Sequence, residues 1–200
     1  MTPQEVGETL GVSRETLARL EAYAGLLVKW QKAINLVSPT TLPDLWRRHI
    51  LDSGQLARLA PLDGLWLDLG AGAGLPGLVL AIMGAREVRL IESDARKCAF
   101  LREAARITAA PAEVINARIE AVPPFRADVV TGRALAPLAK LLGFAAPFLG
   151  PGSVALFPKG QDVEGELTEA HRVWRMKVDR QPSSTDPRAT ILRLTEVEHV

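Results

Sequence analysis

A chain of 200 residues is room for one ordinary domain, or for one domain with a small appendage. Its 24 Lys and Arg against 23 Asp and Glu leave a formal net charge of +1, which excludes a polybasic nucleic-acid tail and an acidic solvating segment. Hydrophobic residues at 48% and charged residues at 24% exclude disorder, and a single cysteine excludes an internal disulfide.

The first residues lack the charged-then-apolar pattern of a leader, so no signal peptide is expected and the expected location is the cytoplasm. Residues 1–60 read as a helical extension ahead of a core over 61–200. Ser13 is a plausible N-cap for a helix reaching Val37, with Leu17, Leu20, Ala24 and Leu27 at helical spacing and Trp30 and Ile34 extending the stripe. Ser38-Pro39 is expected to end it, because a residue before proline avoids the α region. A second helix is expected over 43–59. From 65 the pattern changes. Short apolar strands over 65–69, 88–92, 113–116, 128–131 and 153–157 alternate with helices over 75–83, 95–108 (capped by Asp94) and 135–149. A short helix over 162–171 follows, and then period-two segments over 172–179 and 189–195 that look like a final antiparallel pair. Strands alternating with helices imply an α/β protein with a parallel sheet covered on both faces. The uncharged runs 69–85 and 141–158 are cut by glycines and prolines. A membrane span needs about 20 continuous apolar residues, so both are read as buried strand and helix units and no membrane partner is expected.

The chemistry concentrates at Asp68-Leu69-Gly70-Ala71-Gly72-Ala73-Gly74-Leu75-Pro76-Gly77. A strand ending in glycines and opening into a helix lets a ligand approach the backbone closely. Glu92 ends the next strand about twenty residues on, where an acid can accept both ribose hydroxyls of a nucleoside. Two readings fit. Gly72-Ala73-Gly74-Leu75-Pro76-Gly77 matches the dinucleotide pattern G-x-G-x-x-G. Gly70, Gly72 and Gly74 behind Asp68 match the first motif of S-adenosylmethionine (SAM) methyltransferases. The strand end at Gly70, the acid at Asp68 and the missing N–H of Pro76 favour SAM, since a diphosphate would be repelled by Asp68 and deprived of a donor at Pro76. Both stay open on these residues.

Six blocks together carry a more specific signal: Lys29-Trp30-Gln31-Lys32-Ala33-Ile34-Asn35-Leu36, Arg48-His49-Ile50-Leu51-Asp52-Ser53, 68–77, Glu92-Ser93-Asp94-Ala95-Arg96-Lys97, Arg133-Ala134-Leu135-Ala136-Pro137-Leu138 and Lys159-Gly160. In these the chain resembles the RsmG (GidB) family, the 16S ribosomal RNA guanine-N7 methyltransferases. The resemblance implies a Rossmann-like SAM-dependent methyltransferase fold, with a seven-stranded, mostly parallel sheet, helices on both faces and an N-terminal helical extension. It implies SAM as cofactor, one guanine (guanine 527 in the family) of 16S rRNA in the 30S subunit as substrate, a monomer, and no metal. Carried over by position, cofactor contacts fall on Gly70, Leu75, Ile119, Glu120 and Arg133; Asp68, Gly72, Gly74, Glu92 and Ser93, at the glycine turn and the end of the second strand, are expected beside them. Arg133 and Lys159 are the expected catalytic residues, and Arg47, Arg48, Arg96, Lys97 and Lys159 the expected RNA contacts. Phe157-Pro158 and Pro187-Arg188-Ala189-Thr190 depart from the family's pattern, the second at the entry to the last strand.

Guanine N7 has a lone pair and no proton to lose, so its attack on the SAM methyl needs positioning and desolvation, not a base. Arg133 over N7 would oppose the charge developing there, so contact with a phosphate or a carboxylate is the better reading. His49, His171 and His199 are too dispersed for a metal site. His49 is read as a junction hydrogen-bonder or an RNA contact, and Asp52 as the i, i+4 partner of Arg48. Cys98, Trp30 and Trp46 are read as core. Three other functions compete: a SAM methyltransferase acting on a small molecule or protein, a nicotinamide-dependent oxidoreductase using the Gly72 frame, and a SAM-fold binding module without catalysis. Near-neutrality does not exclude an RNA loop as partner, because a local basic rim suffices. Residues 171–193 hold six basic and two acidic residues, while 161–170 hold four acidic and none basic.

Overall fold

The computed structural model describes residues 1–200. Thr2 and Glu5 form a capping box at the start of α1 (Pro3–Leu10), and Ser13 caps α2 (Arg14–Gln31) by accepting from the Thr16 N–H at 3.1 Å. The helix expected to reach Val37 stops at Gln31. The Gln31 side chain accepts from the Leu36 and Val37 N–H groups and donates to the Val37 carbonyl, replacing the next turn of backbone bonds. Ser38-Pro39 therefore opens a new segment. The helix expected over 43–59 is four pieces: a 3₁₀ turn Pro39–Asp44, a π turn Trp46–Leu51, α3 (Asp52–Gly54) and a 3₁₀ turn Gln55–Arg58. Pro43, inside the first piece, has no N–H for a regular helical ladder.

Seven strands follow: β1 (Leu65–Leu69), β2 (Glu87–Glu92), β3 (Ala112–Asn116), β4 (Val129–Thr131), β5 (Val154–Lys159), β6 (Trp174–Pro182) and β7 (Thr190–His199). They form one sheet in the order β3-β2-β1-β4-β5-β7-β6. Strands β1 to β5 pair in parallel, and β7 runs antiparallel to both β5 and β6. The helices between them are α4 (Gly77–Met83), α5 (Ala95–Thr108), α6 (Leu138–Ala145) and α7 (Val163–Ala170). Two start later than expected. Residues 70–76 are used by the glycine turn, so α4 begins at Gly77 and not at 75. Residues 132–137 form a loop, so α6 begins at Leu138 and not at 135. The final hairpin is longer than expected, with a register shift between Arg175 and Lys177.

Alternation along β1 divides the core. Trp66 faces α4, α5 and the N-terminal helices, in one apolar cluster with Leu20, Tyr23, Leu27, Leu80 and Phe100. Leu67 and Leu69 face α6 and α7, with Leu141, Phe148, Phe157, Leu167 and Trp174. Helices α1 and α2 share their core with α4 and α5 instead of enclosing one of their own. Trp30 stands edge-on to Phe100 at 5.8 Å, and Trp46 packs against the same cluster, both as expected. Cys98 is buried and its thiol donates to the Glu92 carbonyl. No helix is long and apolar enough to cross a membrane.

Candidate active site

From β1 the chain crosses to β2 on one side and later returns through β4 on the other. The loops leaving β1 and β4 diverge, and a crevice opens at the carboxyl ends of these strands, the ligand edge of such sheets. The glycine turn lines it. Gly70, Gly72 and Gly74 have φ of 63°, 55° and 86°, which only glycine adopts freely. They do different work. A Cβ at Gly74 would lie 2.6 Å from the Leu78 Cβ, and one at Gly70 2.7 Å from Leu135 Cδ1, whereas one at Gly72 would meet only the Gly70 carbonyl at 3.8 Å. The backbone is therefore open to a ligand at Gly72.

Three side chains fix this turn. Asp68 accepts from the Gly77 N–H (2.9 Å) and the Thr131 hydroxyl (3.0 Å). Glu92 accepts from the Gly72 N–H (2.9 Å) and the Asp94 N–H (2.8 Å). Tyr23, from α2, donates its hydroxyl to the Ala73 carbonyl (2.7 Å). Burial pushes the Tyr23 phenol well above its ordinary range, which keeps it a donor. Tyr23→Phe is expected to cost about 1 kcal/mol of stability by stranding that carbonyl, and to weaken SAM binding about threefold by loosening the turn. Urea unfolding and calorimetric titration of the two proteins check both.

The crevice has two connected parts. The smaller, about 330 Å³, is lined by Gly72, Glu92, Ser93, Ile119, Glu120 and Phe144 among others. The larger, about 1030 Å³, lies between Leu36–Thr41, the glycine turn and the turn joining β6 to β7. They meet at Gly70, Lys97, Arg133 and Leu135. The smaller part has an acid at the end of β2, apolar walls from Ile119, Leu135 and Phe144, and the open backbone of Gly72. An acceptor, apolar walls and an open backbone in that arrangement fit the nucleoside end of SAM.

Several expected residues stand elsewhere. Asp68 is 1% exposed, both its oxygens are bonded inside the protein, and it does not line the crevice; burial lifts its pKa to about 6, against the hydrogen bonds from Gly77 and Thr131. Gly74 packs beneath Leu78 and Leu101 and is also off the crevice. Lys159, expected as a free cation for catalysis and RNA, lines the larger part but is 8% exposed and paired with Glu166 at 2.6 Å. Its ammonium also donates to the Ala136 carbonyl, and Glu166 accepts from the Leu138 N–H, so the pair staples α7 to the loop before α6. Arg47 pairs with Asp44 and donates to the Thr185 carbonyl, and so serves as a strut between segments. Arg96 is exposed beside its own cap Asp94, away from both parts. Gly70, Gly72, Leu75, Glu92, Ser93, Ile119, Glu120 and Arg133 do line the crevice, as do Arg48 and Lys97.

Asp52 does not pair with Arg48. The i, i+4 expectation assumes α-helical pitch, and residues 46–51 form a wider π turn. Asp52 instead takes Arg133, at 3.1 Å, and Arg48 faces Asp186 at 3.9 Å. Sequence reading missed Tyr23, Thr131 and Thr185, whose partners are 50 to 133 residues away. A lone Tyr or Thr carries no local sign of such a bond.

This sheet order, with an open glycine turn after β1, an acid closing β2 and an apolar wall after β3, defines a SAM-dependent methyltransferase. The dinucleotide frame fails structurally, because its second glycine, the one that would meet a pyrophosphate, is the packed Gly74. Solved methyltransferases share the fold. A ribosomal protein L11 methylase from Lactobacillus delbrueckii subsp. bulgaricus superposes with a TM-score of 0.61 at 14% identity, over 74% of this chain and 78% of that one. M. jannaschii TYW2, solved in complex with AdoMet, gives 0.59 at 16% identity, over 76% of each. The chain belongs to the GidB family, rRNA small subunit methyltransferase G, whose profile matches residues 16–189. It is 59% identical to the ribosomal RNA small subunit methyltransferase G of Paramagnetospirillum magneticum, over 98% of this chain and 97% of the relative, and 56% identical to that of Rhodospirillum rubrum, over 98% of both.

Proposed function

We propose that the chain transfers a methyl group from SAM to N7 of one guanine in 16S rRNA, acting as a monomer on the small ribosomal subunit. One observation carries this reading: a nucleoside-sized cleft opens, across Gly70 and Arg133, onto a larger cleft with room for a base taken out of its stack. The names of the relatives, ribosomal RNA small subunit methyltransferase G, support the substrate. Residues 1–60 act as an extension docked on the 61–200 core, walling the larger cleft through Leu36–Asp52.

Bound SAM supplies an electrophilic methyl on a sulfonium. Glu92, already oriented by two backbone N–H groups, would accept the ribose hydroxyls with its remaining lone pairs. Ile119, Leu135 and Phe144 would cover its adenine, with Ser93 and Glu120 offering polar atoms at the edge. Leu75, expected as a cofactor contact, lines the larger cleft and not the smaller, where it would floor the space for the target base. Arg133 holds an anionic group, a phosphate or a carboxylate, and stays clear of N7. Arg48 and Lys97 form the basic rim toward RNA; Arg96 adds long-range attraction, and Lys159 and Arg47 brace the walls. N7 arrives unprotonated, so the walls need only align it and exclude water.

The test is labelled methyl transfer to 30S subunits from a strain lacking the gene, with the site mapped by borohydride/aniline cleavage and primer extension. Incorporation at one guanine is expected; intact SAM binding without incorporation would overturn the reading in favour of a small-molecule or protein substrate. For the cofactor cleft, Glu92→Gln is expected to weaken SAM binding about 30-fold, because the new NH₂ strands one backbone donor and presents a donor to the ribose. An unchanged calorimetric Kd would remove Glu92 from the site.

A further inference from the structure

The N-terminal segment reaches the loop after β4 through one guanidinium. Arg133 Nη1 donates to Asp52 Oδ2 (3.1 Å) and to the Arg48 carbonyl (3.3 Å), and Nη2 lies 3.0 Å from His49 Nδ1. A guanidinium only donates, so His49 Nδ1 accepts and the ring proton sits on Nε2. That proton goes to Thr41 Oγ1 at 2.8 Å, and the Thr41 hydroxyl passes its own to the Ser38 carbonyl at 2.7 Å. Burial and the neighbouring Arg133 push the His49 pKa down to about 4, in keeping with a neutral ring. The second oxygen of Asp52 accepts from the Thr185 hydroxyl (2.6 Å), in the turn joining β6 to β7, and from Gln55 Nε2 (3.1 Å). Each of these contacts pairs a donor with an acceptor, and together they tie three walls of the larger cleft.

A guanidinium carries five N–H donors, and these contacts occupy three. The Nε–H and one hydrogen of Nη2 are uncommitted, on a side chain 18% exposed that lines both parts of the crevice. Arg47 also commits three donors, to Asp44 and Thr185, but it lines neither part of the crevice, whereas the free donors of Arg133 belong to a side chain that lines both. Asp52 formally balances the guanidinium charge, so what remains for a ligand is the two polarised N–H donors.

We propose that Asp52 and His49 are positioning residues for methyl transfer: they hold three N–H groups of Arg133 so that the other two are presented to the anionic group of the substrate or cofactor. This rests on the function proposed above. The N-terminal segment is then part of the apparatus that aligns the reactants, beyond its place in the core.

The test is a double-mutant cycle with Asp52→Ala, Arg133→Ala and both together, read as single-turnover methyl transfer to 30S subunits at saturating SAM. Asp52→Ala is expected to slow transfer at least tenfold in the wild-type background and less than twofold in the Arg133→Ala background. Equal losses in both backgrounds would mean Asp52 acts through the fold and not through Arg133, and would overturn the proposal. His49→Asn, which keeps an acceptor near the place of Nδ1, should retain more than half the rate, while His49→Ala should lose about fivefold; equal rates would remove His49 from the role. A second readout does not depend on the RNA. The ¹⁵N–¹H signals of the Arg133 guanidinium should show slow rotation and exchange in the wild type and averaging in Asp52→Ala. Identical spectra overturn the brace whatever the RNA does, whereas absent transfer by a wild type with a slowly exchanging Arg133 overturns the functional reading alone.

Discussion

Arg133→Ala is expected to lower methyl transfer on the order of 10²–10³-fold, the range seen when one preorganised electrostatic donor is removed from an active site. Arg133 stands where the two parts of the crevice meet, and it is the one basic side chain there held by three acceptors. Its loss also leaves the Asp52 carboxylate without its cation, in a setting where that carboxylate is only 19% exposed, which is expected to cost about 1–2 kcal/mol of stability. The fold should survive, since Thr185 and Gln55 still bond Asp52. Arg133→Lys should recover little of the rate, because an ammonium is a point charge and cannot reach Asp52, the Arg48 carbonyl and His49 at once while still presenting donors outward. Arg133→Ala also has a titration signature. With the cation gone, the His49 pKa should rise from about 4 toward its ordinary value, read by NMR of the ring protons. Wild-type turnover in Arg133→Ala would remove this residue from the reaction. A slow enzyme with an unmoved His49 would separate the two roles.

The parts of this molecule that were legible in the sequence are those whose cause is local. Five short apolar runs separated by helical spacing give the parallel strands. Asp94 and Ser13 cap helices because a side chain two or three residues back reaches the free N–H groups. The glycine turn is visible because only glycine supplies three left-handed residues so closely spaced. Where the cause is distant, the reading slipped. Gln31 ends a helix through its side chain, with no breaker in the sequence. Lys159 looked free because nothing about Glu166 in the sequence says that α7 folds back over the end of β5. Arg133 and Asp52 are 81 residues apart, and the local alternative, a helical pair with Arg48, was removed by a π turn that no residue type announces. Near-neutral net charge follows the same logic. Asp52 and Glu166 bind cations of the site itself, so the acids counted against the basic residues are partly the groups that position them.

The acid at Asp68 should make the cofactor-free protein less stable as pH rises through the range from about 4 to about 6. Unfolded, this carboxyl loses its proton near pH 4; folded, burial holds the proton up to about 6. Between those values the folded state binds more protons, so raising the pH favours unfolding, and above about 6 the penalty is complete. Roughly two units of displacement correspond to about 3 kcal/mol. Asp68→Asn keeps the shape: the amide oxygen can accept from Gly77 N–H, and the amide nitrogen can donate to Thr131, whose hydroxyl then turns to the Leu67 carbonyl. The variant should therefore be more stable than the wild type by up to about 3 kcal/mol at pH 7.5, with the gap closing toward pH 4. Paired urea titrations across that range measure the difference and cancel every other titrating group. A gap that does not change with pH would mean that Asp68 carries no such burden. A charge kept at such a cost has a use. Buried beneath the glycine turn and attracted to Arg133, the Asp68 anion places negative potential under the place where a sulfonium would lie. The stabilised Asp68→Asn protein should accordingly bind SAM several-fold more weakly, although Asp68 itself never touches the crevice.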